Sequence, residues 1–237
     1  MTTHSKQAHY AFICAMPMEL TPLVEKLALT ETEVDGFAVH TGMLGDREVV
    51  AIVTGMGLEY ATTGTERLLD AMSVGHVVSV GITGGVENET PIGTLILPEA
   101  VVHSQTSAEY RPTPLGGGTP AGKMYTAVGI TSDGDIAALR ERGVVSLDME
   151  TAAIAHVCEQ RGIPWSVFRV ISDRPDSGID EELFKTSNMD GTPNEAAITA
   201  YFENHPERLE AMARLAEGAT LAADTAADAA IRACSPS

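Results

Sequence analysis

Three acidic residues, far apart in the chain, stand where short apolar runs give way to turns or helices. They are Glu19 in Ala15-Met16-Pro17-Met18-Glu19-Leu20, Glu150 in Leu147-Asp148-Met149-Glu150-Thr151-Ala152-Ala153, and Asp173 in Arg169-Val170-Ile171-Ser172-Asp173. Carboxyl groups gathered in one crevice repel one another and lose water. Both effects raise at least one pKa toward neutrality, as an acid or base working near pH 7 requires. Converging, the three could move protons. Each also has a plainer explanation. Glu19 and Glu150 open helices, where an acid complements the helix dipole by well under about 1 kcal/mol, and Asp173 could pair with Arg174 or form a turn ahead of Pro175. Arg169 is harder to explain as packing. It interrupts an apolar strand, and a buried guanidinium without a partner is expensive, so it should meet a carboxylate or a ligand oxygen.

Such a cluster needs a frame that places strand ends side by side. Residues 10–14 form a short apolar strand, and the spacing of Leu20, Leu23, Val24 and Leu27 predicts a helix over 18–29. A hairpin over 37–40 and 48–54 turns at Gly45-Asp46, and Gly55-Met56-Gly57 leads into a helix over 59–72. The buried strand 77–80 ends in Gly81-Ile82-Thr83-Gly84-Gly85, whose glycines let backbone approach whatever lies in the crevice. Strands follow at 93–98 and 100–102, then a loop over 104–122, a strand at 128–131, and helices over 135–142 and 149–161, each closed by a glycine. A polar, turn-rich segment over 176–194 could cover a substrate. The Ala-rich tail from about 206 to 233 reads as a helix packed on the sheet through Leu209, Met212, Ala213, Leu215 and Ala216. Strands alternating with helices predict one α/β domain over 1–237, with a mixed, mostly parallel central sheet flanked by helices and flexible ends at 1–9 and 234–237. In open parallel sheets ligands sit at the carboxyl ends of strands.

Composition narrows the partners. In 237 residues, 15 Lys+Arg face 33 Asp+Glu for a net charge of −18, which repels nucleic acid and anionic membrane surfaces. Cys14, Cys158 and Cys234 are far apart and lack metal-ligand spacing, which fits a reducing cytoplasm and no metal. The first nine residues hold no hydrophobic signal core, and no apolar run approaches the roughly 20 residues of a membrane helix. Gly81-Ile82-Thr83-Gly84-Gly85 and Gly55-Met56-Gly57-Leu58-Glu59-Tyr60 are neither a Walker A loop nor a G-x-G-x-x-G fingerprint. A small-molecule substrate without a nucleotide cofactor is the reading that remains.

Taken together, Ala15 to Glu19, Thr54 to Gly57, Val80 to Gly85, and the pair Leu147 to Ala153 with Arg169 to Asp173 resemble the nucleoside phosphorylase and nucleosidase superfamily. The likeness is closest to its hydrolytic branch, the 5′-methylthioadenosine/S-adenosylhomocysteine nucleosidases. The resemblance implies that Glu19 is the general base activating water and Asp173 the acid protonating the purine N7. It implies that Met149 and Glu150 bind the ribose, that Met16 and Met56 line the ribose and the 5′ substituent, and that Gly84, Arg169 and Ser172 complete the substrate-binding set. It also implies a nucleoside-phosphorylase-like fold, a homodimer and no cofactor. Phosphorylases of the superfamily hold phosphate with an arginine after the first strand and another before the Gly-rich turn; here those positions offer Glu19 and Ser79, which favours water as the nucleophile. The stretch between the Gly-rich turn and Met149 is shorter than in those nucleosidases and holds no Phe or Trp, leaving Tyr110 and Tyr125 as candidates to stack on the base. In this the chain is similar to short relatives that cleave futalosine or adenosylhopane. Two rival readings are a phosphorylase using Arg47 or a neighbouring subunit's arginine, and a nucleoside-binding protein without catalysis.

Overall fold

The run Tyr10-Ala11-Phe12-Ile13-Cys14 is apolar on both faces, a pattern that suits a strand with neighbours on either side and helices above and below. In the structure, a computed structural model that describes residues 7–179 and 181–235, this run lies in β1 (Gln7–Cys14). It pairs in parallel with β4 (Arg47–Val53) on one side and β5 (Ser73–Gly85) on the other. Beyond β4 the sheet continues antiparallel through β3 (Phe37–Leu44) to β2 (Thr30–Val34) at the edge. The polar repeat Thr30-Glu31-Thr32-Glu33 concealed β2 from an argument based on buried runs, since an edge strand can be wet on both faces.

β5 outlasts β1, and its second half makes new pairings. It runs parallel to β11 (Trp165–Asp173) and antiparallel to β10 (Val144–Asp148), with Leu147 opposite Gly84. From β10 the sheet passes through β9 (Lys123–Thr126) and β7 (Ala100–His103) to β8 (Glu109–Tyr110), while β6 (Leu95–Ile96) pairs with β11. The result is a single-domain α/β fold with a mixed central sheet flanked by helices, as the sequence predicts.

Side chains alternate across β1 as strand geometry dictates. Ala11 and Ile13 join the core beneath α2 (Leu58–Ala71) and α4 (Thr151–Arg161), in contact with the cluster holding Leu68 and Ile154. Phe12 and Cys14 point to the opposite core, beneath α1 (Pro17–Leu27) and α7 (Leu209–Cys234).

The packed part of α7 is not the stripe over 209–216, for Leu209 is 62 % exposed. The buried residues are Ala222, Ala223, Ala226, Ala227, Ala229, Ala230 and Cys234, small side chains that bring the helix axis close to β11. A Cβ on Gly218 would stand 2.7 Å from the Ser172 carbonyl oxygen, so the helix crosses the end of β11 almost in backbone contact. The sequence-predicted strand at 128–131 is a loop, with Val128 61 % exposed. The strand lies earlier, at Lys123–Thr126, where Met124 and Thr126 alternate inward between β7 and β10.

α3 (Asp133–Glu141) begins at Ser132, whose hydroxyl accepts from the Asp135 N–H. The segment over 176–194 contains the short helix α5 (Glu181–Phe184) and precedes α6 (Glu195–Asn204). Of the ends expected to be loose, 1–6 and 236–237 lie outside the described residues; His9 belongs to β1, and Cys234 is buried as the last residue of α7. Among the described residues, no helix is long and apolar enough to cross a membrane.

Candidate active site

Glu19 is the third residue of α1, which starts immediately after β1 with Pro17 in its first turn. Its side chain turns back over the helix start, and Oε2 accepts from Ala15 N at 2.8 Å and Met16 N at 3.0 Å. The plain helix-opening role is therefore real, but it occupies one oxygen. The other, Oε1, accepts from Ile82 N at 2.8 Å and lies 3.3 Å from Arg169 Nη1. Glu19 is 1 % exposed and bonds directly to the Gly-rich end of β5.

Gly81 makes that approach possible. A Cβ there would fall 2.0 Å from Glu19 Oε1 and 2.9 Å from Arg169 Nη1. Gly81→Ala should destabilise the fold by about 1–3 kcal/mol, the usual penalty for overpacking a filled interior. A urea midpoint equal to that of the wild type would show that the ion cluster has room the geometry does not reveal.

Arg169, in the middle of β11 and 1 % exposed, is the hub. Besides Glu19, its Nη1 donates to the Ile82 carbonyl at 3.0 Å, and its Nη2 lies 3.4 Å from Asp148 Oδ2 and 3.5 Å from Glu150 Oε2. The carboxylate partner that the sequence demanded is thus a set of three. One guanidinium offsets only one of these three charges; backbone N–H groups that donate to each carboxylate, and burial that favours a proton on Glu150, make the rest tolerable.

Glu150 reaches the cluster from an unexpected direction. It follows β10, which runs antiparallel to β5, so it does not extend the rim formed by the carboxyl ends of β1, β5 and β11; β10 carries it back toward Glu19. As N-cap of α4 it leaves the helix start uncapped by its side chain, which instead accepts from Gly57 N at 2.8 Å. Burial raises its pKa from the ordinary 4.5 to about 7; Arg169 and the Gly57 N–H oppose this, and the charges of Asp148 and Glu19 add to it. At the end of β11, Asp173 accepts from its neighbour's hydroxyl, Ser172 Oγ, at 2.5 Å. Burial raises the Asp173 pKa, and the Ser172 hydrogen bond partly offsets the rise.

The Glu150 shift has a consequence for stability. Between 4.5 and about 7 the folded protein holds a proton on Glu150 that the unfolded chain has lost, so this group's contribution is full below 4.5 and disappears as the pH rises through 7. Asp173 acts in the same direction, whereas His76, lowered to about 4 by burial, acts in the opposite one. Subtracting the urea stability curve of Glu150→Gln from that of the wild type between pH 4.5 and 8 isolates the effect. A difference that does not change with pH would contradict it.

Met16, Glu19, Met56, Gly84, Met149, Glu150, Arg169, Ser172 and Asp173 all line one cavity of about 260 Å³. The proton-transfer and ribose-binding candidates are therefore in the same place. Ile130, Ile136, Leu147, Ile179 and Phe184 supply much of the remaining apolar wall.

Several expectations at the site need correction. Neither Tyr110 nor Tyr125 lines the cavity: the Tyr110 hydroxyl meets His156 Nδ1 at 3.1 Å, and Tyr125 packs against the cluster of Val86, Ile136, Leu139 and Val144. Phe184, which lies beyond the stretch between the Gly-rich turn and Met149, supplies an aromatic ring to the lining. Ser79 is buried in the sheet at 3.3 Å from Thr151 Oγ1, so it has no bearing on phosphate. Arg47 donates to Tyr10 Oη and the Cys234 carbonyl and takes no part in the cavity. Asp148, passed over as part of a motif, is a buried member of the ion cluster; its position at a strand end, two residues before Glu150, was the available signal.

The chain is similar to several known proteins. A 5′-methylthioadenosine/S-adenosylhomocysteine nucleosidase of Oceanobacillus iheyensis is 27 % identical over 195 residues, covering 68 % of this chain and 84 % of the relative. The solved structure of a nucleosidase of the same name from Colwellia psychrerythraea, in complex with adenine, superposes with a TM-score of 0.70 at 21 % identity over 97 % of this chain and 94 % of that one. Futalosine hydrolase of Helicobacter pylori shares the fold with a TM-score of 0.68 at 18 % identity, over 94 % and 95 % of the two chains. The family model of the phosphorylase superfamily matches residues 9–128 and 122–202, so most of the sheet and every residue of the carboxylate cluster fall within it: the chain belongs to the phosphorylase superfamily.

Proposed function

We propose that the protein is an N-ribosyl hydrolase that splits the glycosidic bond of a purine nucleoside of the 5′-methylthioadenosine or S-adenosylhomocysteine type, giving free base and the ribose moiety. The observation that carries this reading is the convergence of Glu19, Glu150 and Asp173 on one buried cavity, with Glu19 and Glu150 held beside the Arg169 guanidinium and Asp173 at the end of the same strand.

The chemistry follows from the charges. As the C1′–N9 bond breaks, its electron pair passes to the base and the sugar becomes an oxocarbenium-like cation. A wall rich in carboxylates stabilises that cation. Asp173, with a raised pKa, donates its proton to the purine N7 so that the base leaves neutral. Water then attacks C1′ and passes a proton to Glu19, whose side chain lines the cavity. Glu150 takes ribose hydroxyls beside Met149. Met16 and Met56 face the ribose and 5′ substituent, with Ile179 and Phe184 completing an apolar surface suited to a thioether. Gly84 leaves space beside Asp173, and Ser172 holds the Asp173 carboxyl in place.

A phosphate dianion in the same position would face Glu19, Asp148 and Glu150, with Arg169 already committed to them and Arg174 paired to Asp176 at 3.3 Å. Water, being neutral, suffers no such repulsion. The reading needs no metal or redox cofactor, since the guanidinium occupies the centre of the carboxylate cluster. We take the enzyme to be a cytoplasmic homodimer, in keeping with its three unpaired cysteines and with the exposed Tyr60, Ile130 and Met189.

The test is incubation with 5′-methylthioadenosine, S-adenosylhomocysteine, adenosine and inosine, following free base by chromatography. Release of adenine from the 5′-thio nucleosides is the expected result; tight binding without release from any of them would leave only a nucleoside-binding role.

A further inference from the structure

Asp148 is a buried titratable group without a part in the steps above. Oδ1 accepts from Thr126 Oγ1 of β9 at 2.6 Å, and Oδ2 accepts from Thr151 N of α4 at 2.8 Å. Thr126 is itself fixed by accepting from Ala152 N at 3.0 Å. The carboxylate is therefore anchored and cannot follow Arg169 if the guanidinium moves.

The guanidinium is shared in an unusual way. A closed pair between arginine and carboxylate has N···O distances of about 2.7–2.9 Å. Here Nη1 stands 3.3 Å from Glu19, and Nη2 lies at nearly equal distances from Asp148, 3.4 Å, and Glu150, 3.5 Å. Two carboxylates compete for one nitrogen, and one of them is immobile. Glu150 holds to backbone through Oε1, with Gly57 N at 2.8 Å, and its Oε2 faces the shared nitrogen.

We infer that Asp148 is a positioning residue of the site: by taking a share of Arg169 Nη2, it keeps the guanidinium from closing on Glu150 and leaves the Glu150 carboxylate available to the ribose hydroxyls of a bound nucleoside. The inference rests on the functional reading above for its substrate, but its electrostatic half stands on the ion cluster alone. The charged and titratable groups facing Glu150 are Arg169 from β11, Asp148 from β10 and Glu19 from α1, with Asp173 in the same cavity. Without the anchored anion, Arg169 has Glu150 as the remaining partner for Nη2. Ionised Glu150 is then favoured by the lost repulsion and by the closer guanidinium.

The experiment is a titration of Glu150 in ligand-free protein, followed by NMR of carboxyl-labelled glutamate, with the resonance assigned by its loss in Glu150→Gln. Asp148→Asn keeps the shape of the side chain: its amide oxygen can face Thr151 N–H and Arg169, and its amide nitrogen can donate to Thr126 Oγ1. In Asp148→Asn the Glu150 midpoint should fall by at least about half a pH unit. KM for the nucleoside should rise about tenfold, the equivalent of weakening one hydrogen bond to a charged group, with a smaller change in kcat. An unmoved midpoint in folded Asp148→Asn overturns the proposal.

Should that variant fail to fold, Thr126→Val removes the hydroxyl donor and leaves the Asp148 charge, which then draws Arg169 away from Glu150. The midpoint should rise, and a fall or no change would overturn the proposal. A wild type that cleaves no nucleoside would refute the functional reading, whereas the NMR midpoints would still decide whether Asp148 governs Glu150.

Discussion

Glu19→Gln should lower the rate of base release by about 100-fold or more, the usual consequence of deleting a general base, while nucleoside affinity changes by no more than a few-fold. The amide can still accept from Ala15 N and Met16 N through its oxygen. Its NH2 group then meets Ile82 N and Arg169 Nη1, both donors, so the variant should also lose about 1–3 kcal/mol of stability. Urea unfolding and equilibrium binding separate these effects from the chemical step. A folded variant that turns over at nearly the wild-type rate would return Glu19 to its role as the acid that opens α1. Tight binding with no turnover in either protein would favour the non-catalytic alternative.

Asp173→Asn should cost a comparable factor, about 100-fold or more in kcat, for a different reason. The amide oxygen can accept from Ser172 Oγ as the carboxyl does, so the end of β11 should hold its shape and the substrate should still bind. What disappears is the proton that leaves with the base. The two roles can be told apart with a riboside whose leaving group departs without protonation, such as a 4-nitrophenyl riboside. Asp173→Asn should slow that substrate much less than it slows a purine nucleoside, whereas Glu19→Gln should slow both. Equal losses on both substrates in Asp173→Asn would contradict the acid role.

The parts of the molecule that could be inferred from residue order are those in which local pattern and tertiary environment agree. The buried runs of β1, β5 and β11 announced themselves because they are apolar on both faces. Glu19, Glu150 and Asp173 were conspicuous because acids at strand ends are poor packing, and Arg169 because a guanidinium in an apolar strand requires partners. What escaped notice depended on distant pairing. β2 is an edge strand of polar residues whose extended form comes from β3. β9 is short, and the more apolar Val128 and Ile130 beyond it misled because they serve a loop at the cavity rather than the sheet. In α7 the large apolar residues of the first half outweighed Gly218 and the alanines beyond it, yet Gly218 is what permits the helix to lie close over Ser172, and the alanines are its buried face. The antiparallel course of β10, which turns Glu150 inward, is a matter of topology that periodicity does not encode. Phe184 was missed because a residue remote in sequence can line the same cavity as the motifs.

Whether the carboxylate-lined cavity delivers water or phosphate to the anomeric carbon can be read from the sugar product of 5′-methylthioadenosine, identified in phosphate-free buffer and again with phosphate added. Equal rates of adenine release in the two buffers, with the free 5-thio-substituted ribose as the product of both, are the expected result. Adenine release that requires phosphate and yields a ribose 1-phosphate would contradict it.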